Sequence, residues 1–319
     1  MATPAATFAT YQAIGNREDL SDTIYRISPT ETPFITGIER EKATATTHEW
    51  QTQALAAMDT ANAVLEGDDA TTDTATPTVR LNNVCQISDK VARVTGTQEA
   101  VEHAGRSSEM AYQEMMKGLE LKRDMEGILV GTNQAKNTGG LTTARVTASV
   151  LSWIKTNGIT ATGGLNPNAA LGADIRTDAT TAVPFTEIKL KSSLSLIWTE
   201  GGKPDTIMAG AFNKQVFSTF TGRATPTEDT RAKKITASVD AYESDFGTLN
   251  VVPDRFQRAR DVLILQMDMW ALAYISGRKM VSSDLAKTGD SVRKQILSEY
   301  CLVSRNEKAS GGVFDNTTS

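Results

Sequence analysis

Apolar positions in this chain come in bunches separated by long polar stretches. The longest helical pattern is VEHAGRSSEMAYQEMMKGLELKRDMEGILVG, residues 101–131. It holds no proline, and Ala104, Ser108, Ala111, Met115 and Leu119 recur on one stripe, flanked by Tyr112 and Met116, with Ile128 and Leu129 near its end. Glu102–Arg106 and Lys122–Glu126 add i,i+4 pairs, and Gly131 suits a stop. Such a helix would run about 45 Å, although Gly105, Gly118 and Gly127 weaken it. A second helix is expected in FTEIKLKSSLSLIWTEGG, residues 185–202. Thr186 is its N-cap, Ile188, Leu190, Leu194, Ile197 and Trp198 point inward, and Gly201 is its C-cap. Shorter helices are expected at AFNKQVFSTF (211–220) and at NREDLSDTIYRI (16–27), the latter ended by Ser28-Pro29.

Strand patterns occupy the rest. TTHEWQTQAL (46–55) and PTVRLNNVCQISDKVARVTGT (77–97) read as two long strands. Between them lies a core-poor stretch rich in Ala, Thr and Asp. From Gln51 to Val79 there are five acids and no Lys or Arg. A loop of that length without its own core is functional or disordered in most domains. DTIMAG, Ile235–Tyr242 and Gly247–Val252 read as strands, with a turn at Glu243-Ser244-Asp245. DVLILQMDMWALAYI (261–275) reads as one buried strand, SVRKQILSEYCLVSRNE follows, and KASGGVFDNTTS reads as a polar tail. Residues 132–182 are rich in Gly, Thr and Ala and read as loop, with one modest apolar segment at 144–157. Helices and strands are segregated along the chain, which gives an α+β fold class.

Composition narrows the function. At 319 residues the chain can bury a substantial core, but only 39% of it is hydrophobic. No run is long and apolar enough for a membrane span, and the N-terminus lacks the regions of a secretory signal. Two cysteines, Cys85 and Cys301, are too few for a disulfide framework and read as buried small apolar groups. A net charge of −5 argues against a dedicated nucleic-acid binder. Chemistry-bearing residues are scarce. The only histidines are His48 and His103, no His or Cys pair has metal-ligand spacing, and nucleophile-elbow, zinc-protease and phosphate-loop motifs are absent. EGGKPDT (200–206) lacks the first Gly of a phosphate loop and reads as a helix exit. GDDATTD (67–73) lacks the Gly and Glu spacing of a calcium loop and reads as a solvated acidic loop. No enzyme, cofactor or metal is expected.

The stretch SPTETPFITGIER (28–40) places a Pro-braced apolar anchor after a polar lead. Two readings stand side by side: a turn capping the chain's own core, or an extended arm whose Phe34 and Ile35 dock on another chain.

Four stretches in order, ISPTETPFITGI (27–38), WTEGGKPDTIMAGAFNKQVFSTF (198–220), YESDFGTLNVVPDRF (242–256) and KTGDSVRKQILSEYCLVSRNEKASGGV (287–313), resemble the major capsid proteins of tailed bacteriophages, the Hong Kong 97-type fold. The resemblance covers most of the chain and implies a parts list. Residues 1–45 would be an N-terminal arm and 46–90 an extended β loop lying across a neighbour. Residues 91–137 and 261–305 would form a peripheral domain, with the spine helix at 101–131. Residues 138–184 would be a loop-rich insertion, 185–260 an axial domain, and 306–319 a C-terminal tail. It implies a chain that self-assembles through pentamers and hexamers into an icosahedral head. That head would enclose double-stranded DNA without sequence-specific binding, with portal, separate scaffolding and decoration proteins as partners. Localisation would be the virion, after assembly in the bacterial host cytoplasm. An encapsulin-like compartment shell is the alternative of the same fold. The cross-linking of the type member, through a loop Lys, is not expected, because residues 51–79 contain no Lys.

With the resemblance, the arm reading of 28–40 is preferred. Pro29, Pro33, Phe34 and Ile35 become expected inter-subunit contacts. Trp50, with His48, reads either as a subunit anchor or as a strand-face aromatic. Glu66, Asp68 and Asp69 are expected to meet a basic patch at Arg255, Arg258 and Arg260 of a neighbour.

Overall fold

Two larger sheets and a separate two-stranded ribbon divide the described strands. The computed structural model describes residues 28–69, 74–103, 105–168, 171–220 and 240–319. The helix expected at 16–27, Ala104 and the first part of the strand expected at 235–242 lie outside the described residues.

The chain enters through a single helical turn, α1 (Pro33–Gly37), and β1 (Glu39–Ala43). β2 (Thr47–Thr52) and β3 (Val79–Val84) form an antiparallel ribbon of their own. The segment expected as one strand over 77–97 is divided at Cys85, because β4 (Gln86–Thr95) leaves the ribbon and pairs with another sheet. After a turn of helix, α2 (Gly96–Ala100), comes the long helix α3, Glu109–Val130.

α3 starts later than expected, for a local reason. Gly105 has φ +74°, a left-handed conformation that no helix continues through. The Ser108 side chain then accepts the N–H of Ala111, and the helix begins. Its core face also differs from the expected stripe. Ala111 and Met115 are exposed, whereas Leu121, Met125 and Leu129 are buried at i, i+4, i+8.

The middle of the chain has little regular structure: α4 (Val150–Trp153) and β5 (Gly158–Ile159). Yet this loop-rich 138–184 stretch is no loose appendage. Val150, Leu151, Trp153 and Ile154 are fully buried in the main core with Phe34, Leu121, Trp270 and Phe314. α5 (Glu187–Thr199) starts at the expected Thr186 cap and ends where expected. Gly201, at φ +86°, donates its N–H to Trp198 O, and Gly202 donates to Ile197 O, which satisfies the last carbonyls. Its inward face is Leu190, Ser193, Leu194 and Ile197; Ile188 and Trp198, expected inward, are exposed. β6 (Thr206–Ala209), α6 (Ala211–Ser218), β7 (Ala241–Ser244) and β8 (Gly247–Pro253) follow.

The apolar run 261–275 is two strands, β9 (Val262–Leu265) and β10 (Trp270–Ile275), with a 3-10 turn at Met267–Met269 between them. Periodicity could not show this break, since both halves are buried on both faces. β11 (Val281–Asp284), β12 (Ser291–Ser304) and β13 (Gly311–Val313) close the chain.

One sheet runs β1-β10-β12-β11, with β4 also paired to the long β12. The other runs β5-β13-β9-β6-β8-β7. The chain therefore crosses between sheets at residues 266–269, past the expected boundary at 260. The stretch expected as a polar tail is a central strand: β13 lies between β5 and β9, and Phe314, Asp315 and Asn316 are wholly buried. β9 knits the core. Leu263 and Leu265 face the cluster under α3, while Val262 and Ile264 face the cluster under α5 and α6.

Candidate assembly surfaces

The anchor at 33–35 packs on its own chain. Pro33 takes the first helical position of α1, where its missing N–H costs nothing. Thr32, the N-cap, makes no capping hydrogen bond. The cap comes from α3 instead: the N–H groups of Phe34 and Ile35 donate to the two carboxylate oxygens of Glu126 at 2.6 and 2.9 Å. The Phe34 ring meets Trp270 edge-on at 6.4 Å. Phe34 and Ile35 are buried, so the inter-subunit role expected for them is corrected: they hold the entry of the chain onto its own core. Burial pushes the Glu126 carboxyl up to about 7; the two N–H donors and Lys122 act against that, and Asp254 reinforces it. Pro29 is exposed.

Trp50 anchors the β2–β3 ribbon. Its ring lies 5.6 Å from that of Trp153, and its indole N–H donates to Ser304 O at 2.9 Å. Those contacts are within the chain, so the strand-face reading describes this side chain. Beyond the ribbon, every described residue from 53 to 78 is exposed. Leu55 is 97% exposed, Leu65 79%, and Met58 and Val64 lie between these values. Apolar groups so presented, on backbone with no regular structure, have no core of their own. Glu66, Asp68 and Asp69 are exposed on the same excursion.

The basic residues expected to meet that loop are mostly engaged elsewhere. Arg258 Nη2 binds Asp178 at 2.5 Å and its Nη1 lies 3.3 Å from Asp261. Arg260 binds Asp178 at 3.5 Å and Asp315 at 3.1 Å. The wholly buried Arg176 lies 3.4 Å from Asp315 and stacks on the Phe314 ring at 3.8 Å. This cluster ties the C-terminal segment to 176–179 and to the entry of β9. Burial pushes the Asp261 carboxyl up to about 6, against the pull of Arg258 and Arg176. Arg258 and Arg260 thus already have carboxylate partners within the chain, whereas Arg255 is exposed.

Composition and loop length flagged one exposed surface; a second was missed. Ile188, 77% exposed, and Trp198, 59% exposed, lie off the core face of α5, against expectation. The Trp198 ring meets Phe246, at the tip of the β7–β8 hairpin, at 5.5 Å. Only the C-terminal turn of α5 and the hairpin together make this patch, which no window of sequence contains. Among the described residues no group of three or more His, Cys, Asp or Glu is placed to hold a metal. No described helix is long and apolar enough to cross a membrane.

Comparison with known proteins adds the family. A family model, SU10 major capsid protein, matches residues 4–317. The major capsid protein of Escherichia phage Phieco32 is 28% identical over 351 residues, with 98% of each chain covered. Among solved structures, the capsid asymmetric unit of cyanophage A-1(L) superposes with a TM-score of 0.67 at 12% identity, covering 98% of this chain and 99% of that one. An encapsulin complex from Synechococcus elongatus superposes with a TM-score of 0.58 at 8% identity, covering 96% and 94%. The fold, shared by heads and compartments, is the Hong Kong 97-type. With the family match spanning nearly the whole sequence, the chain belongs to the SU10 major capsid protein family.

Proposed function

We propose that this major capsid protein builds an icosahedral phage head through pentamers and hexamers, with two surfaces meeting neighbouring copies. The first is the 53–78 excursion, whose Leu55, Met58, Val64 and Leu65 have no partner surface within the chain's own core. The second is the Trp198–Phe246 patch, on the unit built by the six-stranded sheet with α5 and α6. We assign that unit to the axial domain, around the five-fold and six-fold axes. The unit built by the five-stranded sheet and α3 is assigned to the peripheral domain. Contacts of one patch with a different patch on the next copy close into rings and shells. The observation that carries this reading is the exposed apolar excursion in a chain whose family builds capsids.

In this reading the chain is a structural protein without a catalytic step and resides in the virion after assembly in the host cytoplasm. The head encloses double-stranded DNA, gripped without sequence preference, and a portal, a scaffold and decoration proteins complete it. The acidic balance of the chain suits an inner wall that must release its DNA.

Sedimentation of the purified chain on a sucrose gradient, paired with electron microscopy of the fractions, tests it. Closed shells or capsomer-sized rings are expected. A chain that stays monomeric even when co-expressed with its neighbouring head genes would sink the reading. Particles that form in the host but contain a protein cargo and no DNA would shift it to a compartment shell.

A further inference from the structure

The two cysteines face each other across a strand pair. In the antiparallel register of β4 with β12, Ser88 lies opposite Ser298 and Gln86 opposite Tyr300. One step past that last pair, the same register sets Cys85 opposite Cys301. The chain does stay beside β12 beyond this point, since the Asn83 side-chain amide donates to Leu302 O at 2.6 Å. The Cys85 thiol donates to Ala45 O at 3.6 Å, and the two thiols perturb each other's ionisation. Both are free thiols, wholly buried among Ala43, Ala271, Ala273 and Val303.

This geometry suits a covalent bond. Directly opposed residues of an antiparallel pair have Cα atoms about 4.5–5.5 Å apart, inside the window of about 4.4–6.8 Å that a disulfide accepts. The neighbours are mostly alanines, which leave a sulfur free to turn without forcing another side chain out of its rotamer. The site is also at a joint: Cys85 is where the chain leaves the ribbon that carries the exposed excursion and enters the five-stranded sheet.

We propose that Cys85 and Cys301 are a redox pair that closes into an intrachain disulfide under oxidising conditions, fastening the root of the 53–78 excursion to β12. The oxidant is a small disulfide such as oxidised glutathione. The Cys85 thiolate attacks one of its sulfurs and releases one molecule of reduced glutathione. The Cys301 thiolate then attacks the Cys85 sulfur of the mixed disulfide and releases the second. Two electrons pass from the protein to the oxidant, and the two thiol protons end on the two glutathiones. Cys85 is the better attacker, because the Cys301 thiol beside it holds its own below the ordinary range, while Cys85 and burial push Cys301 up. Burial makes the step slow, paced by local opening at the ribbon root. In a reducing cell the pair stays open. The bond would close a ring of about 200 residues, a length at which a cross-link strongly restricts the unfolded chain.

The full chain, purified reduced, is incubated with excess oxidised glutathione a few degrees below its unfolding midpoint, where opening admits the oxidant. It is then alkylated in denaturant and weighed intact. The expected result is no alkylation, a mass lower by two hydrogens, and a digest peptide that joins the Cys85 and Cys301 segments. The unfolding midpoint should rise by several degrees over the reduced sample. Cys85→Ala should keep one alkylatable thiol and gain no stability from the oxidant. Two alkylated cysteines, glutathione left on either one, or a cross-link between two chains would overturn the proposal.

Discussion

The carboxylate of Glu126, near the C-terminal end of one helix, caps another: it accepts the N–H groups of Phe34 at 2.6 Å and Ile35 at 2.9 Å, more than ninety residues earlier in the chain. Glu126→Ala leaves two buried N–H donors without a partner, each worth about 1–3 kcal/mol. Urea denaturation of the unassembled chain should show a loss of about 2–4 kcal/mol. A loss below about 0.5 kcal/mol would mean that the cap contributes nothing.

The same carboxyl gives a pH dependence. Its folded pKa of about 7 lies above the ordinary 4.5, so the folded chain holds a proton that the unfolded chain releases. The stability this contributes is fully present below about pH 4.5 and is lost as pH rises through about 7. Glu126→Gln cannot ionise and lacks that loss. The stability of wild type relative to Glu126→Gln should therefore fall between pH 5 and pH 8, by at most about 3 kcal/mol. Parallel stability curves for the two proteins over that range would refute the assignment.

The excursion and its root should respond oppositely. Leu55→Asp with Leu65→Asp changes only exposed positions, so the unfolding midpoint of the single chain should stay within about 0.5 kcal/mol of wild type while shell formation is lost. Trp50→Ala removes the contact with Trp153 and the hydrogen bond to Ser304, and should destabilise the single chain by about 2–3 kcal/mol. Normal shells from the double Asp variant would show that this surface is not an assembly contact.

Truncation separates the two ends. Removing residues 310–319 takes out β13, Phe314 and Asp315, which leaves Arg176 buried without that partner and β5 without its sheet. No cooperatively folded chain is expected by circular dichroism. Removing residues 1–27 leaves α1 and β1 in place and should keep a cooperative transition; removing residues 1–40 deletes Phe34, Ile35 and Ile38 from the core and should not.

Arg258→Ala leaves Asp261, whose side chain is buried, without its closest cation. The expected cost is about 3–5 kcal/mol in urea denaturation, with partial recovery in Arg258→Lys. An unchanged midpoint would show that Arg176 alone suffices for Asp261.

The sequence by itself determined the α+β class, α5 with its Thr186 cap and Gly201 exit, the strand at 206–209, and the core-poor excursion between two strands. Each rests on a local rule: a capping side chain, a period, or a run with nothing to bury. The order of four motifs was enough to point to the capsid family. The tertiary structure alone decided where Phe34 and Ile35 go, because a Pro-braced anchor looks the same whether its partner is Glu126 or another chain. It alone broke the 261–275 run in two, since a strand buried on both faces carries no period to interrupt. It also moved GGVFDN from a polar tail to a central strand. Small residues there let β13 fit between β5 and β9, and its acid is matched by Arg176 and Arg260 from elsewhere in the chain. Pairings between residues a hundred or more positions apart leave no trace in either local sequence. They arise only when both segments are folded against each other and a buried charge or an open strand edge must find its partner.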